Sequence, residues 1–391
     1  MKTLETSAGF GVYIHWPFCA AKCPYCDFNS HVRHVDVDQP RFASAFAREM
    51  ATMRARTGQK TVTSIFIGGG TPSLMRPDTV ESLVDAVAAN WHLSGEIEVT
   101  LEANPSSVEA ERFRGYRAAG INRVSLGVQA LNDRDLRFLG RLHDVEQALN
   151  AVRLARETFP RLSFDLIYAR PGQTRQAWAA ELSEAIGYAA DHLSLYQLTI
   201  EEGTPFHGLW KAGKLVTPDP DLAADLYVET QEVTARSGLP AYEISNHAAP
   251  GAESRHNLTY WRYGEYVGIG PGAHGRFVEN GARAVTIAER HPETWLDRVE
   301  RAGTGVIEEE RLDPSQEGDE FLLMGLRLTE GVSLDRFARL SGGPLSPDAI
   351  DQLAQLGLVE RVSGNRLRAT SNGALVLDAV VADLVRYKEL A

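Results

Sequence analysis

Hydrophobic positions in the first half of the chain follow two alternating patterns. Short runs rich in β-branched and aromatic residues appear at residues 12–15, 64–68, 98–102, 123–129, 163–168 and 192–200. Their length and residue types predict β-strands. Between them, apolar residues recur at helical spacing. Phe42, Phe46, Met50 and Met53 share one face, as do Val80, Leu83, Val84 and Val87. Ala148, Val152 and Ala155 form a third such face, and Leu222, Leu226 and Val233 mark a later helix. Strands alternating with amphipathic helices predict βαβ units and a parallel sheet. Six units make an α/β fold of the partial (β/α)6 barrel kind, short of the eight of a complete barrel.

The pattern changes after Pro240. Residues 242–245 read as another strand, and residues 251–275 are rich in glycine and aromatics with no clear period. Beyond Leu312, residues 321–328, 334–340 and 349–356 read as short helices. Residues 357–360 and 366–370 read as a β-hairpin, and residues 373–385 as a final helix. Helices followed by a hairpin predict a mainly helical, winged-helix-like C-terminal domain. The expected organisation is a partial-barrel domain over 1–240, a connecting segment over 241–311 and the C-terminal domain over 312–391.

Charge narrows the partners. The formal net charge is −12 over 391 residues. Non-specific binding to nucleic acid wants a basic surface, so no nucleic-acid partner is expected. Acids such as Asp319, Glu320, Asp335, Asp348 and Asp351 outnumber bases in the C-terminal domain, which argues against a DNA-binding use of the winged helix. No run of about 18 apolar residues suggests a membrane span. The start, Met1-Lys2-Thr3-Leu4-Glu5-Thr6-Ser7, has no apolar signal-peptide core. Peripheral membrane association and homodimerisation stay open on these grounds.

The only cysteines are Cys19, Cys23 and Cys26, in His15-Trp16-Pro17-Phe18-Cys19-Ala20-Ala21-Lys22-Cys23-Pro24-Tyr25-Cys26-Asp27-Phe28. Three thiols committed to one short motif make no disulfide framework and fit a reducing, cytoplasmic setting. The CxxxCxxC spacing can hold three corners of a [4Fe–4S] cluster. Four thiolates are usual, so one iron would stay open for chemistry. A zinc site completed by His15 or His31 is the competing reading. One predicted strand later, Gly68-Gly69-Gly70-Thr71-Pro72 allows close backbone approach to a ligand. It lacks the lysine and Ser/Thr pair of a P-loop.

Together these two motifs resemble the radical S-adenosylmethionine (SAM) superfamily. The resemblance implies a [4Fe–4S] cluster on Cys19, Cys23 and Cys26, with Gly69, Gly70 and Thr71 meeting the methionine part of SAM. Tyr13-Ile14-His15-Trp16-Pro17-Phe18, Glu102-Ala103-Asn104-Pro105, Gly127-Val128-Gln129, Gly140-Arg141-Leu142-His143 and Phe164-Asp165-Leu166-Ile167 follow in order. That series is similar to the oxygen-independent coproporphyrinogen dehydrogenase branch, and it implies SAM contacts from Tyr13, Glu102, Gln129, Arg141 and Asp165. Arg141 suits a carboxylate, which a guanidinium can pair bidentately. Its alternative is an internal salt bridge, and for Asp165 helix capping.

Two departures from that branch matter. The dehydrogenases resemble CxxxCxxCxC, whereas Phe28 stands at the last cysteine position here, and their longer N-terminal extension is not expected, since Cys19 lies near the start. Both features resemble the sister group, the HemW-type haem chaperones. His256-Asn257-Leu258-Thr259-Tyr260-Trp261 matches the HNxxYW motif of that group, and Tyr266-Val267-Gly268-Ile269-Gly270-Pro271-Gly272-Ala273-His274-Gly275 is also typical of it. Imidazole is a natural axial ligand for haem iron. The resemblance implies haem contact at His256, with Tyr260 and Trp261 packing on the macrocycle, while His274 is a second candidate. The alternative is that His256 bonds a loop and the aromatics are core. His15, His143 and His247 read as structural.

The resulting expectation is a chaperone that binds cluster, SAM and haem and passes haem to an acceptor protein, with an electron donor as a further partner. The runner-up is oxidative decarboxylation of coproporphyrinogen III to protoporphyrinogen IX. A third reading is a cluster- or zinc-stabilised binding protein without SAM chemistry.

Overall fold

The computed structural model describes residues 8–106 and 110–386; the start read above as lacking a signal core lies outside them. Strands β1 (Phe10–Trp16), β2 (Thr61–Gly69), β3 (His92–Ala103), β4 (Arg123–Gln129), β5 (Arg161–Tyr168) and β6 (His192–Gln197) pair side by side, all parallel. These are the six strands expected from residue type: β4 has the expected ends, β6 stops three residues early, and the other four extend further. Helices Gln39–Thr57, Pro77–Asn90, Val145–Thr158, Arg175–Tyr188 and Pro220–Arg236 cover the outer face. Phe42, Phe46, Met50 and Met53 are buried, as are Ala148, Val152 and Ala155. They meet Val12, Ile14, Ile65, Ile67, Val99 and Leu101 in one continuous core. The apolar stripes therefore serve one purpose, sealing the sheet's outer surface.

The sheet continues past both edges to eleven strands. Beyond β6 lies the antiparallel strand β7 (Asn246–Ala248). The strand expected at 242–245 is displaced to this position. Buried Glu243 explains the shift: its carboxylate accepts from the Ser245 amide (2.9 Å) and from Asn246 Nδ2 (2.6 Å). A side chain that captures local backbone donors competes with the ladder.

On the other edge, the glycine-rich segment without a readable period supplies β8 (Glu265–Ile269), parallel to β1. Antiparallel β9 (His274–Glu279), β10 (Ala282–Ala288) and β11 (Val306–Arg311) follow. Gly268 is required here. A Cβ on it would lie 2.1 Å from the His274 carbonyl oxygen, because the chain folds back over it.

The C-terminal part has its own core, including Phe321, Leu326, Phe337, Ile350, Leu353, Leu367 and Leu384. Helices Pro314–Gly325, Leu334–Ser341 and Pro347–Gln355 are followed by the antiparallel pair Val359–Val362 and Arg366–Ala369, which Val332–Ser333 joins as a third strand. The first of these helices starts earlier than its apolar run, because Asp313 and Gln316 form a capping box. Helices Ser371–Leu375 and Leu377–Arg386 end the described chain. No helix among the described residues is long and apolar enough to cross a membrane.

Candidate functional site

The cysteine loop leaves the C-terminal end of β1, where a parallel barrel gathers its functional loops. Phe18–Cys19 pairs with His31–Val32, which closes the loop into a unit, and the Cys26 amide turns back onto the Cys23 carbonyl at 3.1 Å. Each sulfur has a polar neighbour. Thr71 Oγ1 donates to Cys19 Sγ at 3.3 Å, Arg141 Nη1 lies 3.5 Å from Cys23 Sγ, and Ser30 Oγ lies 4.0 Å from Cys26 Sγ. All three cysteines are free of disulfides.

Burial raises the thiol pKa of Cys19 and Cys26, and the hydroxyl of Thr71 on the first opposes it. A buried Cys19 and two half-buried cysteines, each beside a polar group, fit ligation to a positively charged centre, which would compensate their desolvation. No three His, Cys, Asp or Glu groups among the described residues converge to hold a single ion. His15 is also committed elsewhere: its Nε2 meets the Asn29 carbonyl at 2.8 Å and its Nδ1 meets the Tyr13 hydroxyl at 2.8 Å. His31 Nε2 faces the Asn29 side-chain oxygen and the Arg290 carbonyl, each at 3.2 Å. Both histidines that could complete a zinc site are therefore engaged by neighbouring groups.

The glycine loop is tied directly to this unit. Gly70 N donates to Trp16 O at 2.7 Å and Thr71 N to Phe18 O at 2.8 Å. A Cβ on Gly70 would lie 2.7 Å from Phe18 O, so only glycine permits this approach. Gly69 N donates to Glu102 Oε2 at 3.2 Å, from the end of β3.

Glu102 and Asp165 face each other inside the barrel. Burial, with Asp165 adding repulsion, pushes the Glu102 carboxyl up to about 8. Burial pushes Asp165 up to about 6, against hydrogen bonds from Ser194 and Ser125, the latter at 3.3 Å. Arg141 reaches in from the loop after β4. Its Nη2 donates to Asn104 Oδ1 at 2.5 Å and to Gly127 O at 2.8 Å, while its buried Nε has no hydrogen-bond partner. Among the described residues, neither an internal salt bridge for Arg141 nor a helix cap for Asp165 is formed.

Gln129 ends β4 in the left-handed region, φ +73°. Its buried Oε1 lacks a partner, and it flanks Gly127 opposite Arg141. Strain at a residue with an unmet acceptor marks a site that is built rather than relaxed. Tyr13 lines the same lumen beside Phe66, its hydroxyl pKa raised by burial and by Glu102.

Tyr13, Gly69, Gly70, Thr71, Glu102, Gln129, Arg141 and Asp165 thus gather at one barrel mouth with the three cysteines. Sequence reasoning missed Arg123, a buried cation near the Glu98 carboxylate (4.0 Å) that opposes the upward shifts of Glu102 and Asp165. Its signal was an arginine opening the buried strand RVSLGVQ. A separate cavity of about 390 Å³ is lined by Leu131, Asp135, Arg170, Gln173 and Glu181, and no cysteine borders it.

The HNxxYW segment lies on helix Arg255–Trp261. His256 is only 4% exposed. Its Nδ1 meets Ser64 Oγ on β2 at 3.0 Å, and the rings of Phe66 and Tyr13 lie 5.1 and 6.4 Å away. Burial, then the charge of Arg123, lowers its pKa to about 3. Tyr260 Oη donates to Asn257 Oδ1 at 3.1 Å, and the ring of Trp261 lies under the Arg327 guanidinium at 4.4 Å. The imidazole thus packs against the barrel wall, and the Arg327 guanidinium covers one face of the half-buried Trp261 ring. His274, by contrast, is exposed. His143 Nε2 meets Val128 O at 3.1 Å, and His247 is fully buried. Phe28, at the position of the absent fourth cysteine, is 60% exposed.

Comparison with known proteins follows the same lines. The radical SAM superfamily profile matches residues 13–184, and the HemN C-terminal domain profile matches residues 312–376. The chain is 39% identical to the mitochondrial radical S-adenosyl methionine domain-containing protein 1 of Mus musculus, over 97% of this chain and 88% of that protein. It is 35% identical to the heme chaperone HemW of Escherichia coli K12, over 95% of this chain and 96% of that protein. Among solved structures, coproporphyrinogen III oxidase HemN of Escherichia coli superimposes with a TM-score of 0.80 at 21% identity, covering 97% of this chain and 91% of that one. That last likeness concerns the fold.

Proposed function

The chain belongs to the radical SAM superfamily, in the group of the HemW-type haem chaperones, and we propose that it binds a [4Fe–4S] cluster, SAM and haem and delivers the haem to an acceptor protein. One observation carries this reading: three cysteine sulfurs, each beside a polar donor, share a barrel mouth with Gly69, Glu102, Arg141 and Asp165. When bound, the cluster supplies an open iron position for SAM and the electron that can cleave its sulfonium.

The chain's own residues do the positioning. Arg141, now on a side-chain amide oxygen and a backbone carbonyl, can exchange these neutral acceptors for the SAM carboxylate, a stronger charge-assisted partner. Glu102 and Asp165 face the barrel interior and can offer carboxylate oxygens to the sulfonium and the ribose hydroxyls, Glu102 after losing its proton. Gly69 to Thr71 bring backbone to the methionine part without a side chain between. Tyr13 and Gln129 close the lumen around it.

Phe28 supports the chaperone over the dehydrogenase, as does the name haem chaperone carried by the bacterial relatives. The acceptor is a haem protein and the electron donor a reductant of the same compartment. That compartment is the cytoplasm in the present reading, although relatives named as mitochondrial exist.

The test is one anaerobic experiment on reconstituted full-length protein. Haem is titrated and followed by its Soret band, and SAM, a strong reductant and coproporphyrinogen III are supplied in parallel. Saturable haem binding without porphyrin conversion is the expected result. Protoporphyrinogen formation, or no haem binding, overturns the proposal.

A further inference from the structure

A haem-iron ligand has to offer a free ring nitrogen to a macrocycle approaching from one side. Most of the eleven histidines fail that requirement. His15, His143, His192, His247 and His256 are buried. His31 Nε2 is engaged by loop oxygens, and His291 Nδ1 lies 3.4 Å from Glu293. His274 is exposed, and its ring nitrogens have no hydrogen-bond partner among the described residues. Partial burial and the charges of Arg276 and Arg290 lower its pKa, which keeps the imidazole in the neutral, metal-binding form.

His34 and His92 are exposed as well, and what sets His274 apart is the packed turn that holds it. Gly268 lies directly under the His274 backbone, as described above. A Cβ on Gly270 would lie 2.6 Å from the His15 carbonyl, and one on Gly272 would lie 2.5 Å from Asn29. The Gly270 amide is also held by buried Glu49 at 2.8 Å. The glycines of Gly268-Ile269-Gly270-Pro271-Gly272-Ala273-His274 therefore seat a turn tightly against β1 and the cysteine loop. Asn29 joins the parts, its Nδ2 donating to Pro271 O and Arg290 O, each at 2.9 Å. One residue before Asn29 stands the exposed ring of Phe28. Arg290 is exposed too, and its guanidinium forms no ion pair among the described residues.

We propose that His274 is the axial ligand of the bound haem iron, with Arg290 pairing a propionate and Phe28 packing on the macrocycle. The inference rests on the haem-binding reading above and names its site. The ligand chemistry is specific: an iron with an open axial position, a flat apolar ring and a carboxylate at its edge. The site lies on the rim beside the cysteine loop, where an acceptor protein can reach it.

Haemin is titrated into the full-length protein and its variants, with the Soret position and the affinity read together. His274→Ala should weaken binding at least tenfold and shift the Soret band, and added imidazole should restore the wild-type spectrum. Arg290→Glu should weaken binding without moving the band. His34→Ala and His291→Ala should leave both unchanged. Because His274 is on the surface, circular dichroism and cluster absorption should match the wild type in every variant. Wild-type affinity and spectrum in His274→Ala would overturn the ligand assignment while leaving the chaperone reading intact. A wild-type protein that takes no haem would overturn both.

Discussion

Glu102 makes the affinity for SAM depend on pH in a direction that can be worked out beforehand. Its carboxyl is pushed up to about 8 by burial and by Asp165 opposite. A sulfonium cation favours the ionised carboxylate, so binding at neutral pH must expel a proton. Below pH 8 the dissociation constant should rise about tenfold per unit, roughly 1.4 kcal/mol each. Because the carboxyl is already half protonated at pH 8, the change between pH 8 and pH 6 is about fiftyfold, or roughly 2.3 kcal/mol. Asp165, pushed up only to about 6, stays mainly ionised over this window and contributes little.

The assay is anaerobic calorimetry of SAM and of S-adenosylhomocysteine on reconstituted protein, from pH 6 to 8.5. The thioether carries the same amine and carboxylate but no sulfonium charge, so its profile isolates the effect of that charge. Glu102→Gln should flatten the SAM profile and weaken binding at pH 8.5. A wild-type SAM affinity constant within threefold across the range would refute the argument, as would an equal slope for both ligands. Without ligand the sign reverses. A carboxyl raised from 4.5 in the unfolded chain to about 8 in the fold stabilises the protein below pH 4.5, and that contribution is lost as pH rises through 8.

Three further outcomes follow from the geometry. Cys19→Ala should abolish the cluster's visible absorption and its iron and sulfide content, and a retained spectrum would mean that the ligands are misassigned. Glu49→Ala leaves the Gly270 amide, the Gly305 amide and the Trp295 indole N–H without their acceptor; at about 1–3 kcal/mol per orphaned donor, the denaturation midpoint should report a loss on the order of 3–9 kcal/mol, and a loss under about 1 kcal/mol would show that water replaces the carboxylate. Gln129→Gly removes a side chain from the left-handed region, where a non-glycine residue costs about 1–2 kcal/mol; chemical denaturation should show equal or higher stability and calorimetry weaker SAM binding, whereas unchanged SAM affinity would free Gln129 from the site.

The barrel strands were legible because each carries a run of β-branched or aromatic residues dense enough to announce itself, as in RVSLGVQ and RLSFDLIY. The cysteine and glycine motifs were legible for a different reason: their residue types are demanded by chemistry at short range. Strand EYVGI was missed because a glycine breaks its pattern and its parallel partner is β1, at the opposite end of the barrel chain. The strand expected at 242–245 was displaced by Glu243, whose bonds to Ser245 and Asn246 no periodicity reveals. Arg123 was hidden because its importance comes from Glu98, Glu102 and Asp165 on neighbouring strands, contacts that exist only after folding.

The two histidine motifs show the same limit more sharply. A histidine in HNxxYW and one in a glycine-rich turn look equally suited to iron when only residue type is known. Folding separates them. His256 meets Ser64, 192 positions away, and Glu98 accepts from the His256 amide at 3.2 Å. Around it, His192, Tyr242, Asn257 and Tyr260 hydrogen-bond in series. At the far end Trp261 carries Arg327, which pairs with Glu243 at 3.2 Å, and Arg336 donates to the carbonyls of Arg262 and Tyr263 at the helix end. The motif thus joins the barrel wall to the C-terminal part through a chain of polar groups, of which the Trp261 indole N–H and Arg327 Nε stay without a hydrogen-bond partner among the described residues. A buried imidazole with its nitrogen engaged is worth more to the fold than to a ligand, since removing it strands its partner. An exposed imidazole on a turn pinned by glycines has the opposite balance, contributing little to stability and free to bind.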